Sequence, residues 1–133
     1  MNDSFGRLGE ESAASYLCGK GFRILGRNVH SGHLETDIIA ENGEYIVFAE
    51  VKTRRAFPDG KRPYGRPAVA VDQKKQERLI AAASDYLQKH RQDLSGLQPR
   101  MDVIEVYVSP TSDDYKVLHI EHLPGAVRRR DCL

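Results

Sequence analysis

Leu34-Glu35-Thr36-Asp37-Ile38-Ile39, the polar turn Glu41-Asn42-Gly43-Glu44, and Tyr45-Ile46-Val47-Phe48-Ala49-Glu50-Val51-Lys52 decide how this chain is read. Two apolar stretches of strand-like composition flank an Asn-Gly pair, a strong signal for a two-residue hairpin turn. Each stretch carries acids, and the second adds a lysine two places beyond its glutamate. Strands disfavour Asp, Glu and Lys, so these charges need a local reason. Side chains two apart on a strand share a face, which puts Glu35 with Asp37, and Glu50 with Lys52. If the hairpin pairs as its turn dictates, Asp37 and Glu50 converge near one end of the sheet.

Two carboxylates about 4 Å apart repel by roughly 4 kcal/mol at an effective dielectric near 20. Such a pair persists when one acid is protonated, a lysine neutralises it, or a cation binds between them. Carboxylate oxygens, a backbone carbonyl and waters suit Mg²⁺ or Mn²⁺. A lysine beside that ion would position an attacking water and support charge developing on a phosphate. Asp37, Glu50 and Lys52 thus match a phosphodiester-cutting metal site. The plain alternative is a cross-strand Glu–Lys pair worth ~0.2–1 kcal/mol.

Working outward, Asp3 or Ser4 can cap a helix from about Phe5, with Gly19 and Gly21 ending it. Phe22 to Val29 follows as a strand, and the hairpin strands span about 33–41 and 45–53. Residues 54–67 form a loop rich in Pro, Gly and Arg. Asp72 caps a long helix to about His90, with Leu79, Ala82, Ala83, Tyr86 and Leu87 as its buried stripe. Met101–Val108 and Tyr115–Leu123 are two more strands, and 124–133 is a tail. The order is αβββαββ in one α/β domain spanning 1–133, with 133 residues enough for a core of its own.

A formal net charge of +1 says little about partners, but its distribution says more. From Lys52 to Arg66 six basic residues face one acid, Asp59. Arg54, Arg55, Lys61, Arg62 and Arg66 are candidates to grip a phosphate backbone, while Phe57 and Tyr64 can stack on splayed bases. On the second helix Lys75 and Arg78, three apart, share a face that can meet phosphates, with Gln76 beside them; the alternative is a solvated helix face. Arg100 and Asp102 share a strand face and are better read as a structural ion pair than as catalysts. No apolar run approaches the ~20 residues of a membrane span, and no signal segment is visible. Two cysteines in no recognisable spacing fit a reducing cytoplasm.

Several segments in order extend this reading. Gly6-Arg7-Leu8-Gly9-Glu10, then Gly21-Phe22-Arg23-Ile24-Leu25 with Arg27-Asn28, then Glu35-Thr36-Asp37-Ile38-Ile39 resemble the YraN family of small bacterial proteins. Val47 to Arg54, Tyr64-Gly65, Lys75-Gln76 with Arg78, and Arg100-Met101-Asp102-Val103 continue the likeness over roughly residues 5–122. Leu34, Ala49 and Met101 depart from the family's Gly, Val and Phe without removing an acid or the lysine. That family is similar to the restriction-endonuclease-like PD-(D/E)XK nucleases, most closely the Holliday-junction-resolvase branch. The resemblance implies a mixed central sheet flanked by helices, with Asp37, Glu50 and Lys52 as metal-binding acids and catalytic lysine. It also implies that Glu10 is an auxiliary catalytic acid able to hold metal. Its bland alternative is an acid favoured near a helix N-terminus by the macrodipole. The expectation is a Mg²⁺- or Mn²⁺-dependent, structure-selective DNA endonuclease of repair or recombination, acting on branched or single-strand-containing DNA, cytoplasmic, possible as a homodimer. Its rival is a nucleic-acid-binding module of the same fold that does not cut.

Overall fold

A computed structural model describes residues 4–56 and 73–127. The elements run α1 (Ser4–Gly19), β1 (Arg23–Ser31), β2 (Leu34–Glu41), β3 (Tyr45–Arg55), α2 (Gln73–Lys89), β4 (Gln98–Pro110) and β5 (Tyr115–Val127). The strands form one sheet in the order β1-β2-β3-β4-β5. The β1–β2, β2–β3 and β4–β5 neighbours are antiparallel. The β3–β4 pair is parallel. A parallel pair needs a crossover connection, and α2 lies in it. The chain is therefore a mixed α/β fold whose central sheet carries a helix on each face.

β3 is the middle strand, and Ile46 to Ala49 are wholly buried because both sheet faces are covered there. On one face Val47 and Ala49 join Ile38, Ala40, Ile104 and Val106 under Ala13 and Leu17 of α1. On the other, Ile46 and Phe48 meet Ile39 and Ala83 of α2. Leu79 of α2 closes on Val103 and Val127 in a neighbouring cluster. The alternation of side chains along β2 and β3 thus sends even and odd positions to different helices.

Several boundaries differ from the sequence reading, with β1 running on to Ser31 and β4 spanning Gln98–Pro110, and two of them reassign whole segments. β3 continues through Arg55, and the Ala56 amide donates to the Val108 carbonyl at 2.7 Å, so Arg54 and Arg55 are strand residues, not the start of a loop. β5 continues to Val127, so 124–127 belong to the sheet instead of a tail. Pro124-Gly125 suggests a stop, but Gly125 takes a positive φ of 64° at a register shift between Met101 and Val103. Only glycine accepts that backbone freely, and the strand passes through it as a bulge. Met1–Asp3, the segment with Phe57, Lys61, Arg62, Tyr64, Arg66 and Asp72, and the last six residues lie outside the described residues. No helix among the described residues is long and apolar enough to cross a membrane.

Candidate functional site

β2 and β3 pair through Ile38↔Ala49 and Ile39↔Phe48, and Asp37 and Glu50 stand one step beyond. Both share the parity of Ile39 and Phe48, so both belong to the face that α2 covers. At this step a side chain takes over from the backbone ladder. The Val51 amide donates to Asp37 Oδ2 at 2.8 Å, which fixes that carboxylate against β3. Glu50 is 6% exposed. Lys52, two residues on, is half-buried on the same strand face.

Glu50 acts on Asp37. The Asp37 carboxyl is pushed from the ordinary 3.8 up to about 7, first by burial and next by the charge on Glu50. The Val51 amide pulls it partly back, while Glu10 and Glu35 add further repulsion. A raised carboxyl beside a second buried acid is the arrangement that a proton or a cation stabilises. Part of the compensation comes from the chain itself, since Lys75 Nζ lies 3.2 Å from Glu50 Oε2. Glu35 is exposed and pairs with His30 at 3.4 Å.

Glu10 reaches this region from α1, which packs on the opposite face of the sheet. The approach depends on Gly9: a Cβ at that position would stand 1.8 Å from Thr53 Oγ1 and 2.9 Å from Thr53 Cβ. Glycine alone lets the helix lie on the end of β3, and the next residue is then close enough for its charge to act on Asp37. Glu10 also lines a cleft of about 550 Å³ with Arg7, Arg27 and Asn28. Asn28 holds a φ of 51°, uncommon outside glycine. Arg7 and Arg27 are basic side chains beside the acids that charge counting along the sequence did not single out. The Arg27-Asn28 dipeptide was the available signal.

The other candidates are spread more widely. Lys75 meets Glu50 directly, and Gln76 beside it is half-buried. Arg78 and Arg55 are exposed. Arg54 is turned inward: its Nε donates to Glu105 Oε2 at 2.7 Å, and Glu105 is wholly buried and also accepts from the Tyr107 hydroxyl. Sequence reasoning passed over Glu105, although a glutamate inside Val103-Ile104-Glu105-Val106 was the same anomaly that drew attention to Glu50. Lys61, Arg62 and Arg66 fall outside the described residues.

Arg100 and Asp102 form the expected pair, two parallel bonds of 2.9 Å, on the α1 face. Asp102 is completely buried and also accepts from His122 Nε2 at 2.7 Å and the Gly125 amide at 2.9 Å. Burial alone would raise its carboxyl, but the bonds from His122, Arg100 and Gly125 outweigh it and hold the acid below its usual range. An ionised Asp102 only accepts, so Nε2 of His122 donates to it, and Nδ1 on the other side of the ring is hydrogen-bonded with the Tyr16 hydroxyl at 3.1 Å. Burial and then the Asp102 charge raise the Tyr16 phenol. This network joins α1, β4 and β5 on the sheet face opposite the one that carries Asp37 and Glu50.

Among the described residues no three Asp, Glu, His or Cys side chains close on one point as a finished metal cage. Mg²⁺ does not require one, because it keeps several waters and takes one or two carboxylates plus substrate phosphates. Asp37 and Glu50, with free carboxylate lone pairs and mutual repulsion, fit that donor set.

The family model described as "Uncharacterised protein family UPF0102" matches residues 9–106. A UPF0102 protein of Syntrophotalea carbinolica is 42% identical over 92% of this chain and 90% of its own length. One of Trichlorobacter lovleyi is 40% identical over 94% and 91%. One of Phocaeicola vulgatus is 39% identical over 90% and 91%. Among solved structures, that of Pyrococcus furiosus SfsA in complex with Ca²⁺ aligns at a TM-score of 0.42 and 16% identity, covering 86% of this chain and 62% of that one. A likeness so distant carries no weight for the site. The sequence relatives show the family: with a model spanning both strands of the hairpin and most of the sheet, this chain belongs to the uncharacterised protein family UPF0102, the YraN family of the resemblance above.

Proposed function

We propose that the chain is a Mg²⁺- or Mn²⁺-dependent, structure-selective DNA endonuclease on a restriction-endonuclease-like fold, acting in repair or recombination. The observation that carries the reading is Asp37, pushed up to about 7 beside the buried Glu50. Two neighbouring strands hold two acids where one of them cannot ionise normally without a cation. Asp37 and Glu50 are the ligands, with Glu10 auxiliary. When bound there, the ion supplies Lewis-acid polarisation of a phosphate and acidifies a water.

The chain's own groups do the rest. Lys52, on the Glu50 face of β3, orients the attacking water and offsets charge developing on the phosphate. Arg7 and Arg27 in the cleft beside Glu10 are cations for the phosphate backbone. Both described helices are packed onto the sheet, leaving neither as a free helix for reading base edges in a groove. Selectivity then rests on backbone and shape, which favours branched or single-strand-containing DNA.

One observation favours a second reading. Lys75 already neutralises part of the Glu50 charge at 3.2 Å, as it would in a nucleic-acid-binding module that does not cut. Labelled single-stranded, duplex, flap and four-way-junction DNA in Mg²⁺ and Mn²⁺ separates the two. Cleavage by wild type and its loss in the Glu50→Ala, Lys52→Ala double variant is expected. Salt-sensitive binding without cutting by either protein would replace the endonuclease with the binding module.

A further inference from the structure

Lys75 sits in the first turn of α2, and its ammonium is 3.2 Å from Glu50 Oε2. Four residues on, Leu79 is packed into the core against Val103 and Val127. Positions four apart share a helix face, so the packing that docks α2 also aims Lys75 at the sheet. The pair is lopsided: the Glu50 side chain is 8% exposed and that of Lys75 is 43% exposed. Glu50 is fixed in the sheet, whereas the partly exposed ammonium rides on a flexible four-carbon stem. A divalent ion using Glu50 would take the lone pairs that Lys75 now holds, and would repel the ammonium.

We propose that Lys75 is an exchangeable internal counter-ion: it masks Glu50 until a divalent cation displaces it, and the displaced ammonium is then handed to the nucleic-acid phosphate. This rests on the metal-site reading above and deepens it by coupling metal entry to substrate grip. The exchange costs little charge balance, because the site trades one positive charge for two beside two acids. A phosphate arriving with the substrate gives the freed ammonium a new partner. Lys75 is thus a positioning residue that acts through Glu50, unlike Lys52, which in the reading above acts on the attacking water and the reacting phosphate.

The test is Mn²⁺ titration by calorimetry, without nucleic acid, of wild type, Lys75→Gln, Lys75→Arg and Asp37→Asn. Removing the competing charge tightens Mn²⁺ binding in Lys75→Gln about fivefold, the equivalent of the ~1 kcal/mol of a half-exposed ion pair. Lys75→Arg, which keeps the charge, stays near wild type, and Asp37→Asn loses binding. A gain of affinity is a readout that structural damage does not produce. Equal or weaker binding by Lys75→Gln, with wild type binding normally, overturns the exchange and leaves the metal site standing. Absence of Mn²⁺ binding in wild type overturns both.

Discussion

Asp37→Asn should make the metal-free protein more stable, by an amount that grows as pH rises from 3.8 to about 7 and is complete above that. In the unfolded chain the carboxyl titrates near 3.8, and in the folded protein near 7. Between those values the folded state holds a proton that the unfolded chain has released. The stability linked to that proton is therefore complete below 3.8 and is lost as pH rises through about 7. The gap, at ~1.4 kcal/mol per pH unit, caps the cost of charging Asp37 at about 4 kcal/mol. Asp37 keeps some contact with water, and relaxation around the charge lowers this to about 2 kcal/mol. Asparagine removes the charge and retains an acceptor for the Val51 amide, so the bond of 2.8 Å survives. Urea denaturation in EDTA at pH 8 and about pH 4 should show the variant more stable by ~1–3 kcal/mol at pH 8 and little different at about pH 4. Mg²⁺ at pH 8 should then stabilise wild type and leave the variant unmoved, by mass action on the folded state alone. An asparagine variant no more stable than wild type at pH 8, or equally stabilised at both pH values, would refute the idea that burial and Glu50 oppose the charge on Asp37.

Two further outcomes follow from the same contacts. Gly9→Ala gains ~1 kcal/mol of helix propensity but forces a Cβ to within 1.8 Å of Thr53 Oγ1, an overpacking cost of ~1–3 kcal/mol. A net loss of about 1 kcal/mol, partly restored by Thr53→Ala in a double-mutant cycle, is expected in thermal unfolding, and strict additivity of the two changes would contradict it. Asp102→Ala should destabilise by ~3–5 kcal/mol, because it leaves the Arg100 guanidinium and the Gly125 amide without their shared acceptor. A loss under 1 kcal/mol by urea denaturation would mean the network carries no structural weight.

The hairpin shows how far sequence reaches. Its alternation and its Asn-Gly signal give two antiparallel strands with the acids on a common face, and β2 and β3 pair in that sense. A turn centred on Asn42-Gly43 would nevertheless set Asp37 across from Phe48. The turn is centred one residue later, on Gly43-Glu44, because Asn42 Oδ1 accepts from the Glu44 and Tyr45 amides and the Asn42 amide donates to Tyr45. That step carries Asp37 across from Glu50. Lys75 shows the limit from another side. Its helix and spacing were readable, but the choice between solvent, phosphate and Glu50 depends on how α2 docks. The Arg100–Asp102 pair was legible because two residues on one strand face are neighbours in any sheet. Its partners His122 and Tyr16 were not, since they come from β5 and α1.

By itself the sequence determined the elements, their order and which residues within each share a face. Those follow from local backbone sterics, whose periods of 2 and 3.6 hold wherever the element ends up. Tertiary structure alone decided which charges meet: Glu10 with Asp37 across a helix that only Gly9 lets approach, Lys75 with Glu50, and Arg54 with the buried Glu105. Charge coupling acts through space and depends on distance and burial, and both are set by how separate elements pack, not by the order in which the chain lists them.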